Sequence, residues 1–213
     1  MAQRLKSLGE IASLVNAGGN LDTILDRACY AVCHGGSWST SSIMAVDRAA
    51  GHSVLVTVFD PYTPAGKTLP RRWSLDTSPT LQAVEENRPI VIRDAQRSRE
   101  FPGYREDARA RGYHTAVLLP LRAQDEEGRP LVIAVHAREP NDVEDLELSF
   151  LETVSHLAGI AVEKTRGMER ERARARRLQH SLATQGGLMA RVLAESSLQH
   201  VVELAGALIG DPV

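Results

Sequence analysis

The stretch RPIVIRDAQRSREFPGYREDARARGYHTAVLLPL, residues 88–121, contains the pattern that decides the fold. It opens with a β-branched run, and residues 88–95 are predicted to form a short strand that enters a turn. Residues 101–113 are predicted to form a short charged helix that ends at Gly112. The apolar run TAVLLPL, residues 115–121, is typical of a second strand. A strand, a helix and a strand therefore follow one another closely.

The flanking sequence extends this pattern in both directions. The predicted order is α-α-β-β-α-β-α-β-β-α, with a loop-rich segment at 60–75. Regularly alternating β-α-β crossovers do not fit this order, whereas an antiparallel sheet covered by helices does. We therefore predict an α+β fold with a central antiparallel sheet flanked by helices and a long C-terminal helical segment. The flanking elements are helices over 4–16, from Asn20 to Gly35, from Ser78-Pro79 and from Asn141 or Asp142, and strands over 41–47, 52–59 and 129–139.

Composition excludes several classes of protein. The chain has 213 residues, of which 43% are hydrophobic and 24% charged, with a formal net charge of −2. These values exclude disordered, collagen-like and disulfide-rich chains. No apolar run approaches the roughly 20 residues that a membrane span needs, and the N-terminus lacks a signal-peptide core. The near-zero charge gives no general reason to expect nucleic-acid binding. We expect a cytoplasmic protein with no membrane partner.

The composition changes after Phe150, the last aromatic residue. The tail is rich in Ala, Leu, Arg and Glu, which favour helix. We predict a domain over 1–165 and a helical segment over 166–213. Between 164 and 180, seven Lys/Arg accompany two acids, which indicates a solvated helix or, alternatively, a nucleic-acid contact. Later apolar residues at helical spacing need a partner, so we predict a homodimer through the terminal helices. They are Leu178, Leu182, Leu188, Val192, Leu193, Leu198, Val201, Val202, Ala205 and Leu208.

Sequence motifs for catalysis are absent. The chain contains no GxSxG, GxxxxGK[ST], GxGxxG or HExxH, and its histidines lack metal-ligand spacing. We therefore predict no catalytic residue, no metal, no cofactor and no enzymatic activity. Cys29 and Cys33 lie four residues apart on a predicted helix, where they are either buried small hydrophobes or a redox or attachment pair.

A ligand site is expected where loops meet the sheet. Tyr and His supply both apolar surface and polar groups, as a small-molecule pocket requires. His136 shares one strand face with Val132 and Ala134, where it anchors a ligand or is a satisfied core histidine. The aromatic residues alternatively fill the space between loop and sheet. The candidate ligand-binding residues are Met44, Phe59, Trp73, Tyr104, Tyr113, His114 and His136.

The order of these segments over roughly residues 4–165 resembles a GAF domain, a small-molecule sensor fold related to PAS domains. The resemblance rests on five segments, which are LxxIxxLVNAGGNLDTILDRA, SSIMAVD, residues 88–121, LVIAVHAREPNDVEDLELSFL and AGIAVEK. The tail ending ELAGALIGDPV resembles the connector of bacterial PucR-type regulators, which carry a helix-turn-helix domain further on.

The resemblance implies an effector-sensing, dimeric part of a transcription regulator that contacts DNA only through a domain absent from this chain. The aromatic and histidine candidates favour an aromatic or heterocyclic effector. The Asn-Lys…Phe…Asp-Glu pattern of cyclic-nucleotide binders is broken after Phe101, where Pro-Gly-Tyr follows. Bilin-attachment and sulfoxide-reductase cysteines are missing from the expected places. The alternatives are a GAF-type interaction module without ligand and a redox sensor using Cys29 and Cys33.

Overall fold

The computed structural model describes residues 2–17, 20–63 and 69–209, and at 14–17, 188–189, 191–201 and 203–209 it describes the backbone only. Contacts divide the chain into two units, 1–166 and 167–213. The helices are α1 (Ala2–Ala17), α2 (Leu21–Gly35), α3 (Thr80–Glu86), α4 (Pro102–Arg111) and α5 (Asp145–Ile209). The strands are β1 (Thr40–Asp47), β2 (His52–Phe59), β3 (Arg72–Ser74), β4 (Ile90–Ile92), β5 (Thr115–Gln124) and β6 (Pro130–Ala137). Short 3-10 turns cover Leu75–Thr77 and Ala95–Arg97.

The six strands form one sheet in the order β3-β2-β1-β6-β5-β4, and all neighbouring strands are antiparallel. The predicted α+β class, with helices on an antiparallel sheet and a long C-terminal helix, is confirmed. The sequence pattern missed β3, which pairs with His52–Val54. Three residues inside a loop-rich segment are too few to show an alternating pattern.

Both faces of the sheet are buried, by different helices. Alternation along β6 places Ile133 and Val135 in one buried cluster and Val132 and Ala134 in another. The first cluster includes residues of α1, α2 and α5, such as Ile11, Val32 and Leu151. The second includes residues of α3 and α4 together with the turn between β3 and α3. We call these the α2 face and the α4 face.

The β5 strand carries a bulge that packs against α5. Pairing with β6 is interrupted between Pro120 and Gln124, so the backbone there needs other partners. Side chains of α5 supply them: Ser155 Oγ donates to the Pro120 carbonyl at 2.9 Å, and Arg166 Nη1 donates to the Gln124 carbonyl at 2.9 Å. Between these two contacts, Gly159 allows α5 to approach the Leu121 carbonyl closely.

A buried carboxylate joins α1, α5 and the segment before β1. Glu147, 6% exposed, forms an ion pair with Arg4 of α1. Its Oε1 atom also accepts a hydrogen bond from Trp38 Nε1 at 2.7 Å and one from the Ser37 backbone N–H at 3.4 Å. Ser39, which follows Trp38, donates its backbone N–H to the His136 carbonyl at 2.8 Å. Residues 37–39 therefore connect Glu147 to β6.

Candidate functional site

A buried hydrogen-bonded group lies on the α4 face of the sheet. His136, 2% exposed, sits near the end of β6 with both ring nitrogens engaged. Its Nε2 atom lies 2.7 Å from the Tyr104 hydroxyl, and its Nδ1 atom lies 3.2 Å from Thr40 Oγ1. Thr40 is opposite His136 in the register of β1 and β6. The sheet thus fixes the imidazole, and α4 presents the tyrosine to it.

Helix α4 directs one polar face towards this group. It begins at Pro102, a favourable residue for the first turn, and ends at Gly112, which adopts a φ of 73° and donates its N–H to the Ala108 carbonyl. Tyr104, Asp107 and Arg111 lie three and four residues apart, so they share a face. The predicted short charged helix therefore supplies two half-buried charged groups.

These charged groups form a second network beside the histidine. The Tyr113 hydroxyl donates to Asp107 Oδ2 at 2.9 Å. Arg111 lies between two carboxylates, 3.3 Å from Asp107 Oδ2 and 3.2 Å from Asp60 Oδ2. Trp73 Nε1 donates to Asp107 Oδ1 at 3.3 Å. Helix α4, the residues that follow it, β3 and the loop after β2 thus converge on one polar centre.

Burial controls the ionisation of the ring residues. Desolvation, with a smaller effect of the Arg111 charge, places the pKa of His136 well below its usual value, so the imidazole is neutral. Desolvation also raises the pKa of both Tyr104 and Tyr113, so both phenols remain protonated. The centre therefore contains neutral ring residues beside charged ones.

The charged residues stay ionised despite their partial burial. For Asp60, burial opposes ionisation, but hydrogen bonds from the Tyr62 N–H and Thr63, together with Arg111, hold the pKa below its usual value. For Arg111, burial favours the neutral form, but Asp107 and other nearby groups raise the pKa. Two carboxylates accompany one guanidinium, and the buried Nε atom of Arg111 has no hydrogen-bond partner among the described residues. A ligand with an acceptor atom could satisfy that donor.

Five of the seven candidate ligand-binding residues come together here. The ring centroids of Tyr113 and His136 are 4.4 Å apart, and that of Tyr104 lies within 5.9 Å of both. Trp73 is linked to these rings through its hydrogen bond to Asp107, and Met44 belongs to the same buried hydrophobic cluster. The ligand-binding role of these residues stays a prediction.

Phe59 lies apart from this group, and its ligand-binding role also stays a prediction. It is opposite Ser41 in the β1–β2 register and packs on the α2 face, where its ring centroid lies 5.5 Å from those of Tyr30 and His34. A register shift between Ile43 and Met44 separates its face from that of Met44. A bulge of this kind reverses the alternation, so strand periodicity alone could not separate the two residues.

His114 also lies apart from the ring group. It is half-buried, and its Nε2 atom lies 3.4 Å from Gln96 Nε2. Its backbone N–H pairs with the Ala137 carbonyl. The contacts described for His114 therefore tie it to the turn before α4, away from the other candidates, and its ligand-binding role stays a prediction.

Sequence reasoning missed four residues of this centre. Asp60, Asp107 and Arg111 were not candidates because charged residues are usually solvated, and Thr40 was not one because a threonine at the start of a strand carries no sign of a binding role. The i, i+4 spacing of Asp107 and Arg111 was the one available signal, and it indicates an ion pair on any helix. That the pair is half-buried, and that Asp60 joins it, depends on the tertiary fold.

The two cysteines lie on the other face of the sheet. Cys29 is fully buried, and Cys33 Sγ lies 3.4 Å from Ser41 Oγ. Burial raises the pKa of both thiols, that of Cys33 to about 11. Within the described parts of the chain, both cysteines are free, and no group of three or more His, Cys, Asp or Glu could hold a metal ion. No helix among those residues is both long and apolar enough to cross a bilayer.

Comparison with known proteins shows the family. A sequence profile described as a GAF domain matches residues 19–163, more than half of the chain. The chain therefore belongs to the GAF domain family, whose members are small-molecule sensor and interaction modules found in many proteins. The predicted resemblance is confirmed at this level. Comparison with curated proteins found no match.

Solved structures share the fold at low sequence identity. The GAF domain of a phosphoenolpyruvate-protein phosphotransferase from Coxiella burnetii is 21% identical, with a TM-score of 0.57 over 78% of this chain and 98% of that one. The phycoerythrobilin-bound GAF domain of a cyanobacterial phytochrome is 14% identical, with a TM-score of 0.60 over 76% and 95%. The free methionine-R-sulfoxide reductase of Neisseria meningitidis, in complex with its substrate, is 13% identical, with a TM-score of 0.61 over 78% and 91%.

The last of these structures corrects the prediction that the chain is not an enzyme. That prediction rested on missing catalytic motifs, and it is wrong because a reductase shares this fold across most of the chain. The likeness shows the fold alone and assigns no reaction to these residues. Motif absence is a poor criterion here, because the motifs that were sought belong to other folds.

Proposed function

We propose that this chain is the effector-sensing and dimerisation region of a cytoplasmic bacterial transcription regulator of the PucR type. Residues 1–165 form the sensor, and residues 166–213 connect it to a DNA-binding domain outside this sequence. The observation that carries the proposal is the hydrogen-bonded centre around His136, Tyr104 and Arg111 on the α4 face. Buried polar groups at the junction of a sheet and loops are suited to orienting a small molecule.

The chemistry of the centre favours an aromatic or heterocyclic effector. Tyr104, Tyr113 and Trp73 offer ring surfaces for stacking. Neutral His136 and the unpartnered Arg111 Nε offer hydrogen bonds to a heteroatom. An effector shifts the equilibrium between two conformations of the protein only if it binds one of them more tightly than the other. The coupling free energy is typically about 1–3 kcal/mol.

A ligand screen tests the sensor proposal. Thermal unfolding of the full chain is followed with purines, aromatic acids and related metabolites, and molecules that co-purify with it are identified by native mass spectrometry. A ligand at 100 times its Kd adds about 2.7 kcal/mol to the free energy of unfolding. Binding should weaken in Tyr104→Phe, which loses the hydroxyl on His136, and persist in Tyr62→Phe, whose ring is exposed.

The helical segment after residue 166 supports the dimerisation proposal. Leu178 and Leu182 are four residues apart on one face of α5 and are 58% and 67% exposed. Large apolar side chains in this position pack well against a second helix. The side chains of the other predicted contacts beyond 187 lie outside the described residues, except for Val202, which is 64% exposed.

Sedimentation of the full chain tests the dimer. Leu178→Glu with Leu182→Glu should convert it to a monomer without lowering the helix content measured by circular dichroism. The control Tyr62→Glu changes a side chain that is 53% exposed in the loop after β2, and it should sediment as the wild type does. A dimer that survives both changes to α5 would place the interface elsewhere.

A module without ligand is the second candidate, and one observation favours it. The Tyr104 hydroxyl and the Nε2 atom of His136 are 2.7 Å apart and satisfy each other's hydrogen-bonding capacity, as polar groups in a protein core usually do. The two proposals differ in the screen. If every compound leaves the unfolding curve unchanged while the dimer persists, the ligand-free module replaces the sensor.

A further inference from the structure

A second concave site lies on the α2 face, between α5, β5 and the connection from α3 to β4. It is a groove of about 410 Å³, within the range of small-molecule sites, and it shares no lining residue with the centre around His136. An adjoining hollow of about 270 Å³ shares Asn87, Pro120 and Arg122 with it. Arg122 therefore stands between two cavities.

The backbone at this groove is strained. Asn87 and Arg122, with φ values of 48° and 56°, are the non-glycine residues of positive φ in the described chain, and both line the groove. Asparagine tolerates this region, but arginine adopts it at a cost in free energy. The bulge in β5 imposes the conformation on Arg122. Strain of this kind is concentrated at ligand sites, where the surrounding structure maintains it.

The strained conformation leaves one edge of the guanidinium available. Arg122 Nε donates to Asn87 Oδ1 at 3.2 Å, which orients the group. Its two Nη atoms have no hydrogen bond or ion pair with any described residue. An Nη1–Nη2 edge of this kind can hold both oxygens of a carboxylate.

An acidic group lines the same groove. Glu152 of α5 is exposed, and its carboxylate makes no ion pair or hydrogen bond with the described residues, although Arg122 lines the same cavity. Opposite charges that share a groove without pairing can be bridged by a molecule that carries both. Leu119, Pro120 and Pro89 add an apolar wall that suits a short side chain.

We propose that this groove binds a small zwitterion of the α-amino-acid class. The ligand carboxylate lies on the Nη edge of Arg122, and its ammonium group lies on Glu152. His156, one turn after Glu152 on α5, lines the groove beside them. This site is separate from the proposed effector site, and ligand binding here does not depend on Tyr104.

The test uses the full chain and the common L-amino acids at millimolar concentration. Thermal unfolding identifies the amino acids that bind, and calorimetry measures Kd for the tightest of them. Its N-acetyl derivative, which lacks the ammonium group, and its amide, which lacks the carboxylate, are measured beside it. We expect each derivative to bind at least ten times more weakly than the zwitterion.

Three variants locate the binding. Arg122→Gly removes the guanidinium and tolerates a positive φ, so it should fold at least as stably and lose ligand affinity at least tenfold. Glu152→Gln should lose affinity to a similar degree. Arg99→Gln, which changes an exposed arginine outside the groove, and Tyr104→Phe should both bind as the wild type does.

Three results would overturn the proposal. The first is that no common amino acid changes the thermal unfolding curve. The second is that Arg122→Gly and Glu152→Gln leave the Kd of the amino acid unchanged, and the third is that a derivative with one charge binds as tightly as its parent. Loss of binding in Tyr104→Phe alone would assign the amino acid to the centre on the α4 face. That outcome would support the effector proposal and reject this one.

Discussion

Replacing Gly159 with alanine tests the contact between α5 and the β5 bulge. A Cβ atom at Gly159 would overlap the carbonyl oxygen of Leu121, a backbone atom that cannot rotate away. The hydrogen bonds from Ser155 and Arg166 hold the bulge on both sides of this point. The overlap is therefore relieved only if α5 moves away from β5.

The effect of Gly159→Ala on the free energy of unfolding combines a gain in helix propensity with losses from overpacking and from weakened hydrogen bonds. An alanine inside a helix is favoured over glycine by about 1 kcal/mol. Overpacking typically costs about 1–3 kcal/mol, and weakening one or two hydrogen bonds costs about 1 kcal/mol each. The net expectation is a loss of about 1–4 kcal/mol in the free energy of unfolding. At about 2–4 °C for each kcal/mol in a domain of this size, Tm should fall by several degrees.

Urea unfolding followed by circular dichroism measures this difference, and Gly9→Ala is the matched control. Gly9 lies inside α1 with no atom within 4 Å of an added Cβ, so alanine there should stabilise the protein by about 1 kcal/mol. The two substitutions are chemically identical and should have opposite signs. If Gly159→Ala stabilises the protein as Gly9→Ala does, the close approach of α5 to the bulge is refuted.

The remaining predictions concern the buried rings and a thiol. Tyr104→Phe leaves the Nε2 atom of His136 without its partner and should cost about 1–3 kcal/mol in urea unfolding, whereas Tyr62→Phe should be neutral. Because the pKa of His136 is lowered in the folded state, the unfolded state binds more protons below about pH 6.5. Stability should therefore fall as pH drops from 7 to 5, less steeply in His136→Asn, and an equal slope in both proteins would contradict the assignment. The pKa of Cys33, raised to about 11, predicts slow alkylation by iodoacetamide at pH 8 compared with a free thiol, and rapid labelling of the folded protein would revive the redox alternative.

Local patterns predicted the elements of this fold well because their signals lie within a few residues. The strand β2 begins and ends where its β-branched run does, and α4 ends at Gly112 as predicted. Alternation along β6 correctly separated His136 from Ile133 and Val135. These features follow from side-chain periodicity and turn chemistry, which any single segment carries.

The parts that could not be predicted depend on contacts between distant segments. Asp60 and Arg111 are 51 residues apart, and neither carries a local sign of burial. The bulge opposite Met44 and the left-handed conformation of Arg122 arise from strand pairing, so no residue type signals them. The face of the sheet on which Phe59 lies depends on strand pairing for the same reason. The polar centre on the α4 face is thus a property of the tertiary structure more than of any motif.

The ion pair between Arg4 and Glu147 spans 143 residues of sequence, and Trp38 reaches the same carboxylate across 109. During synthesis, Arg4 of α1 can meet the Gly35 carbonyl of α2, to which its Nε atom donates at 3.2 Å, long before Glu147 of α5 is made. Contacts of such long sequence separation form late, because the chain entropy of closing the loop is lost before the contact stabilises anything. Helix α1 packs against α2, its neighbour in sequence, and Ile11, which is 1% exposed in the native fold, belongs to a buried cluster that includes residues of α2. The packing of α1 on α2 therefore depends on contacts between neighbouring segments, whereas its ion pair with Glu147 forms only after the strands between them have been made.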